Sequence, residues 1–133
     1  MSTTYYLAGR FSRKDELAGY ANQIVAAGER VNARWLTGAH DASTERELTD
    51  EELRAFAMED LEDIDDADAF ILFTETPEAG YTSGGRMVEL GYALLSQQLY
   101  IVGPHENVFT RLAPERYETW DELAAAKGWG HWV

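Results

Sequence analysis

The sequence predicts an α/β protein built on a doubly wound parallel sheet. Three observations carry this. Short runs of β-branched and aromatic residues alternate with longer stretches of helical period. The first such unit, Thr3 to Leu36, reads as strand, helix and strand, and a helical crossover of that kind joins parallel strands. Helix-opening and helix-closing residues also stand where the alternation needs them. Ser12, Thr49 and Thr119 each precede an acid by three residues, and Gly28 and Gly128 follow apolar-periodic segments.

Thr3 to Ala8 is a buried strand, and Gly9-Arg10-Phe11 is a turn. Ser12 with Asp15 forms a capping box for a helix through about Ala27, whose apolar positions include Leu17, Tyr20, Ile24 and Val25. Arg30 to Leu36 is the second strand. Thr37 to Leu48 lacks periodicity and reads as a surface loop or lid. Thr49 with Glu52 opens a helix from about Asp50 to Asp66, with Leu53, Phe56, Ala57 and Ile64 on its apolar face and Leu61 at the edge. Position 60 falls on that same face, four residues after Phe56 and four before Ile64, and it is Asp60.

Ala67 to Thr74 is the clearest central strand, and Glu75 to Gly80 is a loop containing Pro77. The stretch Thr82 to Leu95 starts as a Ser/Gly turn and becomes a helix. Ser83 is its expected cap, and Gly84 and Gly85 permit close backbone approach. From Met87 to Leu95 the residues are almost all apolar, so most of this helix is expected to be buried. Glu89 interrupts the run. A carboxylate there is costly unless it has partners or a task, and a salt bridge to Arg86 one turn earlier would account for it equally well. Leu99 to Val102 is the fourth strand, His105 to Pro114 is irregular, and Arg116-Tyr117 starts a short edge strand. Thr119 opens the last helix, which runs to about Lys127. The tail Trp129-Gly130-His131-Trp132-Val133 is too aromatic to be left unpacked. About five strands in this order make a flavodoxin- or Rossmann-like three-layer sandwich in one domain spanning residues 1–133.

Composition narrows the function. The 133 residues carry a formal charge of −13, which disfavours a nucleic-acid polymer as partner. More than half the acids lie between Asp41 and Asp68. There is no cysteine, and no apolar run approaches the ~20 residues of a membrane span. The chain reaches a strand within a few residues, so neither a signal peptide nor a membrane partner is expected, and the expected location is cytoplasmic. Dinucleotide, Walker A and nucleophile-elbow motifs are absent. A receiver domain needs acids after the first strand and a lysine after a late one. Gly9-Arg10 and Gly103-Pro104 stand there instead. His40, His105 and His131 are too scattered to suggest a metal, and no cofactor is expected.

In a doubly wound sheet, ligands bind at the carboxyl ends of the strands, which gathers the Arg10 turn, the Ser83-Gly84-Gly85 turn and Glu89. Asp60 and Glu89 are both carboxylates out of place by hydrophobic patterning. A pair facing one pocket is what glycosyl chemistry uses, one acid for the anomeric carbon and the other for a proton or a hydroxyl.

Three elements carry a resemblance to a known family. They are Tyr6-Leu7-Ala8-Gly9; Asp60-Leu61, Ile64 and Ala67-Asp68 before a hydrophobic strand; and Ser83-x-Gly85-x-x-x-Glu89-Leu90-Gly91-Tyr92-Ala93. In this order and spacing the chain, from about Tyr5 to Leu123, resembles the nucleoside 2-deoxyribosyltransferase superfamily, which includes the 2′-deoxynucleoside 5′-monophosphate N-glycosidases. The resemblance implies that Glu89 attacks C1′ of the sugar, that Asp60 positions it and passes a proton to the leaving base, and that Tyr6 sits against the sugar and hydrogen-bonds the nucleophile. Gly9, Arg10, Ser12, Ser83, Gly85 and Asn107 are the implied substrate-binding positions. A small nucleoside or nucleotide is the implied partner, together with a homodimer or larger homo-oligomer in which Asn107-Val108-Phe109 completes a neighbouring site. Two departures stand out. Transferases of the family tend to carry an acid where this chain has Ser83, whereas the glycosidases have a serine and an arginine where this chain has Arg10 and Ser12. Phe11 and Trp35 are candidates to stack on a base, or plain core aromatics. The competing expectation is a non-catalytic nucleotide-binding module with the same pocket.

Overall fold

The computed structural model describes residues 2–37, 48–76, 84–94 and 97–129. Five strands form one parallel sheet: β1 (Thr4–Ala8), β2 (Arg30–Val31), β3 (Ala69–Phe73), β4 (Gln98–Val102) and β5 (Glu115–Tyr117). Their order is β2-β1-β3-β4-β5, and every adjacent pair runs parallel. The helices are α1 (Lys14–Ala26), α2 (Asp50–Asp65), α3 (Gly85–Ala93) and α4 (Trp120–Lys127). The strand order is flavodoxin-like, with its switch point between β1 and β3.

Strand alternation sorts the core into two halves. On one face Tyr6 stacks on its register neighbour Phe70, with ring centroids 5.6 Å apart, and its phenol reaches α3. On the other, Tyr5 meets Trp129 edge-on at 5.0 Å, and Tyr20 of α1 stacks on Phe73 and on Trp120 of α4, which also meet each other. So α1 and α4 cover one face while α2 and α3 pack together on the other. The hydroxyl of Tyr92 donates to Asp65 and the side-chain amide of Gln97 donates to the Ile64 carbonyl, tying α3 and the start of β4 to α2. Trp129 is 3% exposed, as the aromatic tail requires; the rest of that tail lies outside the described residues.

Several local expectations hold. Thr49 and Glu52 make a full reciprocal capping box, Thr119 accepts from the Glu122 N–H, and Gly28 and Gly128 close their helices at φ 96° and 73°. Others do not. Ser12 caps nothing, because Phe11–Arg13 forms a 3-10 turn that delays α1 to Lys14. The second strand stops at Val31 instead of continuing to Leu36. Beyond it a 3-10 turn (Arg34–Leu36) swings Trp35 and Leu36 into the core, 6% and 5% exposed. Val25 and Ala57 face solvent. The expectation that α3 is mostly buried also fails. Leu90 and Ala93 point inward, but Val88 and Tyr92 are exposed, because a single face of the helix meets the sheet. The irregular stretch after β4 contains a 3-10 turn (Val108–Leu112). The loop or lid expected over 37–48 lies outside the described residues except for its ends, as do Pro77, the Ser83 cap and Leu95.

Candidate active site

Tyr6, Asp60 and Glu89 converge where α2, α3 and β1 meet. Tyr6 sits at the middle of β1 and is fully buried, and its phenol donates to Glu89 Oε2 at 3.0 Å. Glu89 projects from α3 between Arg86 and Leu90, on the inward side of the helix. Asp60 projects from α2 and brings its carboxyl within hydrogen-bonding reach of the Glu89 carboxyl, so that a proton on either acid can be shared with the other. The salt bridge that could have absorbed Glu89 is made elsewhere: Arg86 turns to Glu106.

The electrostatics follow from this packing. Burial is the main reason the Glu89 carboxyl is pushed well above the usual carboxylate range. The Asp60 charge pushes it further, while the Tyr6 hydrogen bond opposes the rise. Asp60 is raised too, first by burial and then by Asp63 and Glu59; the Glu89 hydrogen bond and Arg34 counteract. Two carboxyls in such contact titrate as a unit and hold one proton between them near neutral pH. Burial, and secondarily the Glu89 charge, raises Tyr6 so far that it remains a phenol and a donor. The group therefore offers one carboxylate, one carboxylic acid and a fixed O–H donor in a site largely closed to water.

A charge network lies at the carboxyl end of the sheet. Arg86, 5% exposed, makes a two-pronged pair with Glu106, which also accepts from the Glu75 N–H. Burial would raise Glu106, but Arg86, the Glu75 amide and the charge of Arg10 outweigh it and hold the carboxyl below its usual range. Arg13 bridges Glu16 and Glu75 and donates to the Thr74 carbonyl. Sequence reasoning misses this network. Arg86 is one turn from Glu89 and looks like its partner, while Glu106 stands in a stretch with no period.

The remaining expected positions divide. Gly9 follows β1 and its absent side chain matters, since a Cβ there would come within 2.9 Å of Leu17 Cδ2. Arg10 precedes the 3-10 turn and lies within electrostatic reach of Glu106. Ser12 lies within that turn. Gly84 takes φ 84° and Gly85 is the first residue of α3, with no described residue near a Cβ at either. Asn107 caps the 3-10 turn that follows it: its side-chain oxygen accepts from the Phe109 and Thr110 N–H groups, and its side-chain amide reaches Met87 Sδ at 3.3 Å. Ser83 lies outside the described residues. Trp35 is core, with its indole N–H donating to the Leu7 carbonyl at 2.9 Å and its ring 6.1 Å from Phe11. Among the described residues no group of three or more His, Asp or Glu side chains is arranged to hold a metal ion, and no helix is long and apolar enough to cross a membrane.

No family model matches the chain, and no curated protein matches it in sequence. Solved structures do resemble it. A 2-deoxyribosyltransferase from the psychrotolerant bacterium Bacillus psychrosaccharolyticus matches with a TM-score of 0.71 at 18% identity, over 90% of this chain and 89% of that one. The CMP N-glycosidase BcmB of Clostridium botulinum matches with a TM-score of 0.58 at 13% identity, over 94% of this chain and 98% of that one. Both neighbours are of the nucleoside 2-deoxyribosyltransferase-like superfamily, and at these identities what the chain shares with them is the fold.

Proposed function

We propose that the chain cleaves or exchanges the N-glycosidic bond of a (deoxy)nucleoside or nucleoside 5′-monophosphate through a glycosyl-glutamate intermediate. The observation that carries this is the contact of three groups, Tyr6 phenol to Glu89 and Glu89 to Asp60, inside a largely buried junction. A fold shared with a deoxyribosyltransferase and a CMP N-glycosidase supports the substrate class.

In this reading the proton shared by the two carboxyls resides on Asp60 when substrate is bound. Glu89 attacks C1′ as the C1′–N bond breaks. The bonding electrons leave with the base, and Asp60 supplies the proton that neutralises it. Water or a second base then attacks C1′, Glu89 departs as carboxylate, and the proton of the incoming nucleophile returns to Asp60. The Tyr6 hydroxyl holds Glu89 in one rotamer and favours its ionised form. Fixed geometry and exclusion of water do most of the work asked of the protein.

The proposal includes a homodimer or larger assembly. Val108 and Phe109, 70% and 59% exposed beside Asn107, are the surface such a contact would cover; light scattering decides it. The catalytic reading is tested by incubating the protein with nucleosides and 5′-monophosphates, with and without a free acceptor base, and following released or exchanged base by chromatography. Turnover abolished by Glu89→Ala supports the reading. Tight binding without turnover, unaffected by Glu89→Ala, would show a binding module instead.

A further inference from the structure

The 3-10 turn after β2 grips α2 at the level of the candidate site. Arg34 donates to the Asp63 carboxylate twice, from its backbone N–H at 2.8 Å and from Nε at 2.9 Å. Its Nη2 donates to the Glu59 carbonyl at 3.3 Å and to the Glu62 carboxylate at 3.1 Å. Asn32, two residues earlier, donates to the Asp63 carbonyl at 3.0 Å. The next residue, Trp35, ties the same turn to the Leu7 carbonyl, adjacent to Tyr6. One short turn thus fixes both the helix that carries Asp60 and the strand that carries Tyr6.

Asp63 is 2% exposed, although it stands in an acidic run that sequence patterning would leave in solvent. It lies three residues after Asp60, which places the two side chains on adjacent turns of one face. A buried carboxylate at that spacing makes a negative charge on Asp60 more costly, and the guanidinium that holds it offsets the effect.

We propose that Arg34 and Asp63 are positioning residues that set how firmly Asp60 holds the proton it shares with Glu89. Among the described residues, the charged and titratable groups that act on Asp60 include Tyr6 from β1, Glu89 from α3, Glu59 and Asp63 from its own helix, and Arg34 from the turn. Among these, Asp63 and Arg34 have opposite effects on Asp60, and neither has a part in the proposed bond cleavage. The catalytic meaning of the device rests on the function proposed above. The charge coupling does not.

The test uses Asp63→Asn, Arg34→Gln and the double variant. Side-chain carboxyl titrations are followed by 13C NMR on Asp- and Glu-labelled protein, with the Asp60 and Glu89 signals assigned through Asp60→Asn and Glu89→Gln. Asp63→Asn keeps one of the two oxygens that accept from Arg34, at the cost of the other contact, and is expected to lower the midpoint of the pair on the order of one pH unit. Arg34→Gln should raise it by less, because the Arg34 side chain is 50% exposed and screened by water. The double variant should fall between the two. Single variants that shift the midpoint in the same direction, or leave it unmoved, would overturn the proposal. If Arg34→Gln does not fold, the downward shift of Asp63→Asn decides alone. Base release measured on the same variants should show its acid limb moving with the midpoint. Opposite-signed shifts in a protein that releases no base would remove the catalytic reading and leave the coupling standing.

Discussion

Glu89→Gln should make the protein more stable at pH 8 and leave it inactive. Folding raises the proton affinity of Glu89, chiefly by burial and then by the Asp60 charge. A carboxyl of this kind favours the folded state while it is protonated. Its contribution is complete below the unfolded pKa of about 4.3 and is lost as pH climbs through the higher folded value. The wild-type protein therefore carries a penalty at pH 8 that it lacks at pH 4–5. A tenfold change in proton affinity between the unfolded and folded states corresponds to about 1.4 kcal/mol. Because one proton is shared between Glu89 and Asp60, the net penalty is about 2–4 kcal/mol, less than the two carboxyls would contribute if they titrated separately. Glutamine keeps the volume, can accept from Tyr6 through its carbonyl and can donate to Asp60 through its amide, so little else changes. Urea unfolding of both proteins at pH 5 and pH 8, at one ionic strength, measures the effect. Taking the difference between proteins cancels the general repulsion of a chain of charge −13. The variant should gain about 2–4 kcal/mol at pH 8 and much less at pH 5. An equal difference at the two pH values would refute the reasoning, as would a loss of stability at pH 8. A residue that lowers stability where it is needed for turnover is the usual signature of a functional group in a folded core.

Two further outcomes follow from the same geometry. Tyr6→Phe removes the donor that favours ionised Glu89, so base release should fall roughly tenfold to hundredfold and its acid limb should move to higher pH, read from the pH profile of initial rates. Glu106→Ala strands the Arg86 guanidinium, which is 5% exposed, and removes the acceptor of the Glu75 amide; urea unfolding should show a loss of about 2–4 kcal/mol.

The order of elements was legible because each is specified by neighbours in the chain. The Thr49–Glu52 box, the Thr119 cap and the closing glycines act within one turn and form wherever the segment is helical. Asp60 and Glu89 were legible for a related reason, since each breaks an apolar period that the rest of its helix keeps. Where the reading failed, a distant partner outvoted local preference. Arg30 to Leu36 has the residues of a strand, but Asn32 and Arg34 are drawn to Asp63 and Trp35 to the Leu7 carbonyl, so the chain leaves the sheet at Val31. The apolar run of α3 was too greasy to suggest an open face, yet a helix lying on a sheet buries one side, and Val88 and Tyr92 fall on the other.

By itself, then, the sequence determined the alternating α/β architecture, the helix ends and the two carboxylates at odds with their surroundings. These are matters of period and of contacts within a few residues. Only the tertiary structure decided which charges meet. Tyr6 and Glu89 are 83 residues apart and Arg34 and Asp63 are 29, and nothing in a local pattern distinguishes a carboxylate in water from one clasped in the core. Sheet topology makes that choice. It brings β1 beside β3 and lays α2 against α3, leaving Glu89 facing a phenol and a second carboxyl while Arg86, one turn away, faces Glu106. The proposed chemistry depends on that choice, because burial and mutual contact are what make two ordinary acids share a proton.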